Sequence, residues 1–276
     1  MPFKAQNTSY SAQTNNFTKF ATKNLKRYFI HLAYNGSNYH GWQRQKNAHS
    51  VQAELEKCLS LKLHTSIDIM GCGRTDTGVH ARKFYAHFDL EKALDEKKIP
   101  TFVAALNNFL PQDIVVYKIW EVPSEAHARF DATERTYHYQ IHHQKRVFGN
   151  ELSYFIFVET DMDLMNKAAA ILLEYNDFTS FAKLHSQTKT NLCTLKSAFW
   201  TKRDKQLVFE ITADRFLRNM VRAIVGSLLE VGQGRRSLDD FRQLIESRNR
   251  SAAGYSVPAH ALFLQEVRYP ESIIKK

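Results

Sequence analysis

At 276 residues the chain can bury a sizeable core without disulfide or metal staples, and its length suits one large domain or two small ones. Lys and Arg number 38 against 28 Asp and Glu, a formal charge of +10 that argues for a polyanionic partner such as nucleic acid. No apolar run approaches the roughly 20 residues that span a bilayer, Cys58, Cys72 and Cys193 form no Cys-x-x-Cys pair, and the 12 histidines lack metal-ligand spacing, so neither membrane span nor disulfide framework nor metal site is expected. Scattered cysteines of this kind point to a reducing, cytoplasmic compartment.

Residues 1–26 are polar, free of acids and rich in Asn, Thr and Ser, and read as a basic, disordered extension. The first acid of the chain is Glu54, whereas Lys4, Lys19, Lys23, Lys26, Arg27, Arg44 and Lys46 precede it, a charge block suited to one wall of a phosphate-facing surface. From Tyr28 to Tyr34 apolar residues alternate, predicting a strand that ends at the Asn35-Gly36 turn. Val51, Leu55, Cys58 and Leu59 follow a Ser50 cap at helical spacing. A short strand around "IDIM", a Gly-punctuated loop, and a strand near Lys83 to Leu90 come next. "IPTFVAALNNFL" predicts a short helix, and Pro111 to Trp120 a strand.

After residue 125 the succession restarts. "RTYHYQIHH" and "ELSYFIFV" alternate as strands, "DLMNKAAAILLEY" is helical, and "TLKSAFWTK" and "QLVFEITA" alternate again. "RFLRNMVRAIVGSLLEVG" predicts a long helix whose apolar stripe is core packing. On its flank Arg215, Arg218 and Arg222 recur at i, i+3, i+7 with no acidic neighbour on that face, an arrangement that repels itself unless phosphates or carboxylates lie opposite. The pattern predicts an α+β protein of two related lobes, 27–125 and 133–270, built on antiparallel sheet with helices outside.

Chemistry concentrates in "GCGRTDTGVHARKFYAHF", where Asp76-Thr77-Gly78 has the letters of an aspartic protease motif. That mechanism needs two carboxylates sharing a proton, and the motif occurs once. Arg74, two residues before Asp76, favours the ionised carboxylate, which suits a nucleophile or a permanent anion better than a general acid. Spacing alone favours the plainer reading, an ion pair that braces a turn.

"GRTDTGVHA", together with "GWQRQ" (41–45), "SVQ" (50–52), "ALNNFLPQDIVV" (105–116), "HARFDATERTYHY" (127–139), "DFTSF" (177–181) and "FLRNMVRAIVGSLLEVG" (216–232), resembles the tRNA pseudouridine synthase A family, in the family's order and from about Arg27 to Tyr269. The resemblance implies the pseudouridine synthase fold, with two α+β lobes sharing a central antiparallel sheet, and a homodimer. It implies isomerisation of uridine at positions 38, 39 and 40 of the tRNA anticodon stem-loop, in which the N1 glycosidic bond breaks and the base rejoins through C5. Asp76 then matches the catalytic carboxylate, and Arg74 the residue that pairs with it and holds the turned-out nucleotide. Tyr137 matches the aromatic on the target base, and Leu262 the apolar pocket wall. The reaction is redox-neutral and transfers no external group, so no cofactor or metal is implied. Extruding a stem nucleotide costs a few kcal/mol, a stacked aromatic returns about 1–3 kcal/mol of it, and Arg215, Arg218 and Arg222 are available to the phosphates. A tRNA-binding module without chemistry is the alternative, using the same basic groove. The chain departs from the family's usual letters at Asn35, Asn176 and Ala261.

Overall fold

The alternation read at the start of the chain forms β1 (Lys26–Tyr34), in which Tyr28, Ile30, Leu32 and Tyr34 are buried. The structure, a computed structural model, describes residues 25–183 and 189–274; the extension assigned to 1–26 lies outside them up to residue 24. α1 (Val51–Leu63) starts where the Ser50 hydroxyl accepts the Ala53 N–H at 3.3 Å and buries Val51, Leu55, Cys58 and Leu59, the four residues its spacing singled out. β2 (Met70–Gly71), β3 (His80–Leu90), α2 (Ile99–Asn107) and β4 (Ile114–Val122) complete the first half. The second half holds β5 (Glu134–His142), β6 (Tyr154–Phe155), α3 (Met162–Ile171), β7 (Leu195–Arg203), β8 (Gln206–Ala213), α4 (Met220–Gly232), α5 (Leu238–Glu246) and β9 (Leu262–Arg268).

The strands form one sheet in the order β4-β1-β3-β9-β5-β8-β7, with β2 on β3 and β6 on β5. Pairing is antiparallel within each half of this order. The halves meet at a short parallel seam, where His80 and Ala81 of β3 pair with Phe263 and Leu264 of β9. One hydrophobic cluster gathers β1, β3, β4 and α1 with Leu264 and Val267 of β9; a second gathers β5, β7, β8 and the helices α3, α4 and α5. Tyr137 packs against both.

Two expectations need correction. "ELSYFIFV" is not a regular strand: Asn150–Leu152 make a 3-10 turn, only Tyr154–Phe155 pair with β5, and they do so in parallel. Ser153 diverts the chain, its hydroxyl engaging His142 Nδ1 at 2.9 Å and the Gly149 carbonyl at 3.2 Å. The long helix begins at Met220, because Asn219 takes a left-handed conformation (φ 66°) that ends any helix reaching it from Arg215. Arg215 and Arg218 therefore precede α4, and only Arg222 belongs to it. Arg218 and Arg222 face a carboxylate, one of the counter-charges that their spacing called for, as described below. α5 and β9 carry no expectation from the sequence; α5 is capped by a reciprocal Ser237–Asp240 box.

Candidate active site

Residues 72–79 cross the junction of the two halves, and other backbone holds them from several sides. The Cys72 N–H donates to the Tyr85 carbonyl at 2.7 Å, Gly78 to Tyr39 at 3.2 Å, and Trp42 to the Thr75 carbonyl at 3.4 Å. The buried Tyr34 hydroxyl meets Thr75 Oγ1 at 2.9 Å. Gly41, from "GWQRQ", adopts φ 84°, and a Cβ there would lie 2.2 Å from the Thr75 oxygen; a Cβ on Gly36 would lie 2.0 Å from that of Val79. These glycines let one backbone pack directly on the other, which is the physical content of two of the sequence motifs. Asn35 still makes the turn into Gly36, accepting the Ser37 N–H at 3.0 Å as an Asp would.

The loop presents Asp76 to the second half of the molecule. Its carboxylate is half-buried and faces Arg218 Nε at 3.5 Å and Arg222 Nη1 at 3.9 Å. Arg222 is anchored by donating from Nε to the Val257 carbonyl at 2.7 Å. The expected Arg74–Asp76 pair is not formed: among the described residues the ion-pair partners of Asp76 are Arg218 and Arg222, and Arg74 is exposed. Two of the three arginines read from the α4 region thus find their counter-charge in the carboxylate. Both contacts exceed hydrogen-bond length, so the anion is flanked by cations without being tied up.

Tyr137 lies on β5 with its ring edge-on to Phe216, centroids 5.1 Å apart. Burial raises its phenol well above the ordinary value, with Cys72 and Asp76 adding to the shift and Arg135 opposing it, so Asp76, Cys72 and Tyr137 share one electrostatic neighbourhood. The Cys72 thiol is pushed up to about 11 by burial and stays protonated. Leu262 opens β9 opposite Tyr139 and is buried in the second cluster; the residue opposite Tyr137 is Leu264. Arg215 donates its N–H to Asp214 Oδ1 at 2.7 Å, and its side chain makes no ion pair among the described residues.

Two groups escaped the sequence reading. His80 is buried, accepts the Gly36 N–H on Nδ1 at 3.0 Å and contacts the His260 carbonyl through Nε2 at 2.9 Å, so it is neutral with Nε2 carrying the proton. It clasps the loop to both halves. Arg135 stands two residues before Tyr137, on the same face of β5; a cation at that core-facing position of an alternating strand was the available signal.

A family model described as tRNA pseudouridine synthase matches residues 168–270. A protein named tRNA pseudouridine synthase A from Bacteroides fragilis is 53% identical over 253 residues, covering 91% of this chain and 99% of that protein. Its namesake from Parabacteroides distasonis is 51% identical over 249 residues, covering 90% and 98%. One from Clostridium acetobutylicum is 39% identical over 249 residues, covering 90% and 100%. Likeness of this strength along nearly the whole sequence leaves one assignment, and the chain belongs to the tRNA pseudouridine synthase A family.

Proposed function

We propose that the chain isomerises uridine to pseudouridine at positions 38, 39 and 40 of the tRNA anticodon stem-loop, with Asp76 as the catalytic carboxylate. The observation that carries this reading is a half-buried carboxylate at the junction of two halves, close to an aromatic ring and flanked by Arg218 and Arg222. The target base must leave its stack to expose both N1 and C5. Tyr137 supplies a face for it, Leu262 an apolar wall, and Arg74 a cation for the turned-out nucleotide. Arg215, Arg218 and Arg222 meet the phosphates of the arm, and the pairing of Arg218 and Arg222 with Asp76 loosens as phosphates compete for them. Ionised Asp76 serves as nucleophile or as anion opposite developing positive charge while the N1–C1′ bond breaks. Rejoining through C5 releases the C5 hydrogen to solvent, N1 gains a proton, and atoms balance with no cofactor. The division into lobes 27–125 and 133–270, a homodimeric assembly and a cytoplasmic setting belong to the same reading; light scattering in solution tests the dimer.

The test is tritium release from tRNA labelled at uracil C5. The wild-type chain releases tritium from uridines of the anticodon arm. Asp76→Asn loses release by roughly 1,000-fold or more while still binding tRNA. Arg218→Ala weakens binding and lowers its salt slope by about one. Binding without release by the wild-type chain, unchanged by Asp76→Asn, overturns the enzyme in favour of a tRNA-binding module.

A further inference from the structure

Beside Asp76 lies a group of cations of which the reading above uses Arg74 and Arg215 separately and Arg129 and Arg135 not at all. The Arg135 guanidinium donates from Nη1 to the carbonyls of Ala132 and Asp214, both at 2.7 Å, and from Nη2 to those of Arg129 at 2.7 Å and Cys72 at 3.1 Å. One side chain thereby gathers the three backbone segments that carry Arg74, Arg129 and Arg215. Four arginines converge, and none of them makes an ion pair with a carboxylate among the described residues. The residues outside that set, 1–24, 184–188 and 275–276, contain no Asp or Glu. The adjacent acids accept from backbone or face other cations: Asp131 accepts the His127 N–H at 2.7 Å, Asp214 accepts the backbone N–H groups of Thr194 at 2.8 Å and Arg215 at 2.7 Å, and Asp76 faces Arg218 and Arg222. Burial, then Arg74, Arg135 and Arg215 in turn, lower the proton affinity of Arg129, the signature of like charges crowded together.

The same segment displays Phe130 with 74% of its surface exposed. Its ring rests on His127, centroids 4.3 Å apart, and the Arg129 guanidinium lies 5.6 Å from its centroid. His127 is itself fixed, accepting the N–H groups of Arg129 at 3.1 Å and Phe130 at 3.3 Å on Nδ1. The aromatic is therefore held in place by its neighbours and left open to solvent. A braced, open ring beside arginines that make no ion pair among the described residues fits a base and its phosphodiester.

We propose that residues 127–130 form a second nucleotide subsite, in which Phe130 stacks the base of a nucleotide flanking the target uridine while Arg74, Arg129 and Arg215 hold its phosphodiester. This rests on the RNA reading of the Asp76 site and extends it by one nucleotide. Stacking uses the π face that every base has, so the subsite accepts any flanking base and requires only that one be present.

The experiment measures Kd of the full chain for an anticodon stem-loop RNA, with tritium release read separately. Phe130→Ala raises Kd by about 5- to 100-fold, Phe130→Trp restores it, and Phe130→Leu, apolar but without a ring, does not. Arg129→Ala lowers the salt slope by about one. Phe157→Ala, 85% exposed and away from the cations in sequence, is the control that leaves Kd unchanged. RNA with an abasic residue at one of the two positions flanking the target loses the difference between wild type and Phe130→Ala. Tritium release with Kd of Phe130→Ala within twofold of wild type overturns the subsite and leaves the isomerase standing. RNA binding that depends on Phe130 without any tritium release overturns the isomerase and leaves the subsite standing. A wild-type chain that does not bind the RNA overturns both.

Discussion

The charge balance at Asp76 shows how much one residue's surroundings decide. Sequence spacing paired it with Arg74, two positions away, whereas the fold places Arg218 and Arg222 opposite, from a segment more than a hundred residues later. Asp76 could be singled out from the sequence because its motif is local; its counter-charges could not, because they depend on how the halves meet. His80 is the residue that fixes that meeting at the loop, and its two nitrogens can be tested apart. Asn at position 80 places an acceptor near Nδ1 and keeps the Gly36 N–H paired, while Gln reaches toward the His260 carbonyl and keeps only that contact. Each replacement leaves one buried backbone group unpaired, a loss of about 1–3 kcal/mol. Denaturant melting is expected to show both losses, with activity falling more in His80→Asn, which releases the second half from the loop. Equal activity in the two variants removes His80 from any positioning role.

Among the elements, α1, α2 and the antiparallel strands other than β9 were readable because local periodicity, with the Ser50 cap in α1, agrees with the packing that the fold imposes. α4 was over-extended because apolar spacing continues through Phe216 and Leu217 while backbone geometry breaks at Asn219. β9 was missed for another reason: seven residues with a two-residue parallel seam owe their strand character to partners distant in sequence. The capping box of α5 is visible in the sequence as Ser237-x-x-Asp240. At the loop, the short motifs are packing instructions. Gly41→Ala puts a methyl 2.2 Å from the Thr75 oxygen at a positive φ, so it is expected to lose about 2 kcal/mol or more in denaturant melting. It should also displace Asp76 and reduce tritium release in parallel. Gly73→Ala, in the same loop, meets no atom within 4 Å and stays within about 0.5 kcal/mol. A Gly41→Ala protein as stable as Gly73→Ala contradicts the direct backbone contact.

For the whole molecule, the buried imidazoles set the acid limit. His31 stacks on Tyr85 at 4.8 Å, and its Nε2 is buried without a hydrogen-bond partner among the described residues. Burial, helped by Lys83 and Lys118, lowers it to about 4. Burial, with Arg27 and His127 adding and Asp89 and Asp131 opposing, brings His87 also to about 4. Both folded values lie below the ordinary 6.5, so the unfolded chain takes up protons first as pH falls. Stability is therefore full above pH 6.5, declines as pH drops toward 4, and receives no further contribution from these two below that. Each histidine adds a slope of up to about 1.4 kcal/mol per pH unit within the window, reduced where the ring edge meets solvent. His80, His127, His138 and His142 are shifted in the same direction and steepen the decline. Urea midpoints should fall between pH 7 and pH 5 and hold constant between pH 7 and pH 8. His31→Phe, which keeps a ring against Tyr85 and removes the titrating group, should flatten part of that fall. The two halves share one sheet, and His31 and His87 lie in the strands β1 and β3 that lead to the seam, so the decline is expected as a single transition. A midpoint that does not move between pH 7 and pH 5 means that these imidazoles take up protons in the folded chain over the same pH range as in the unfolded one.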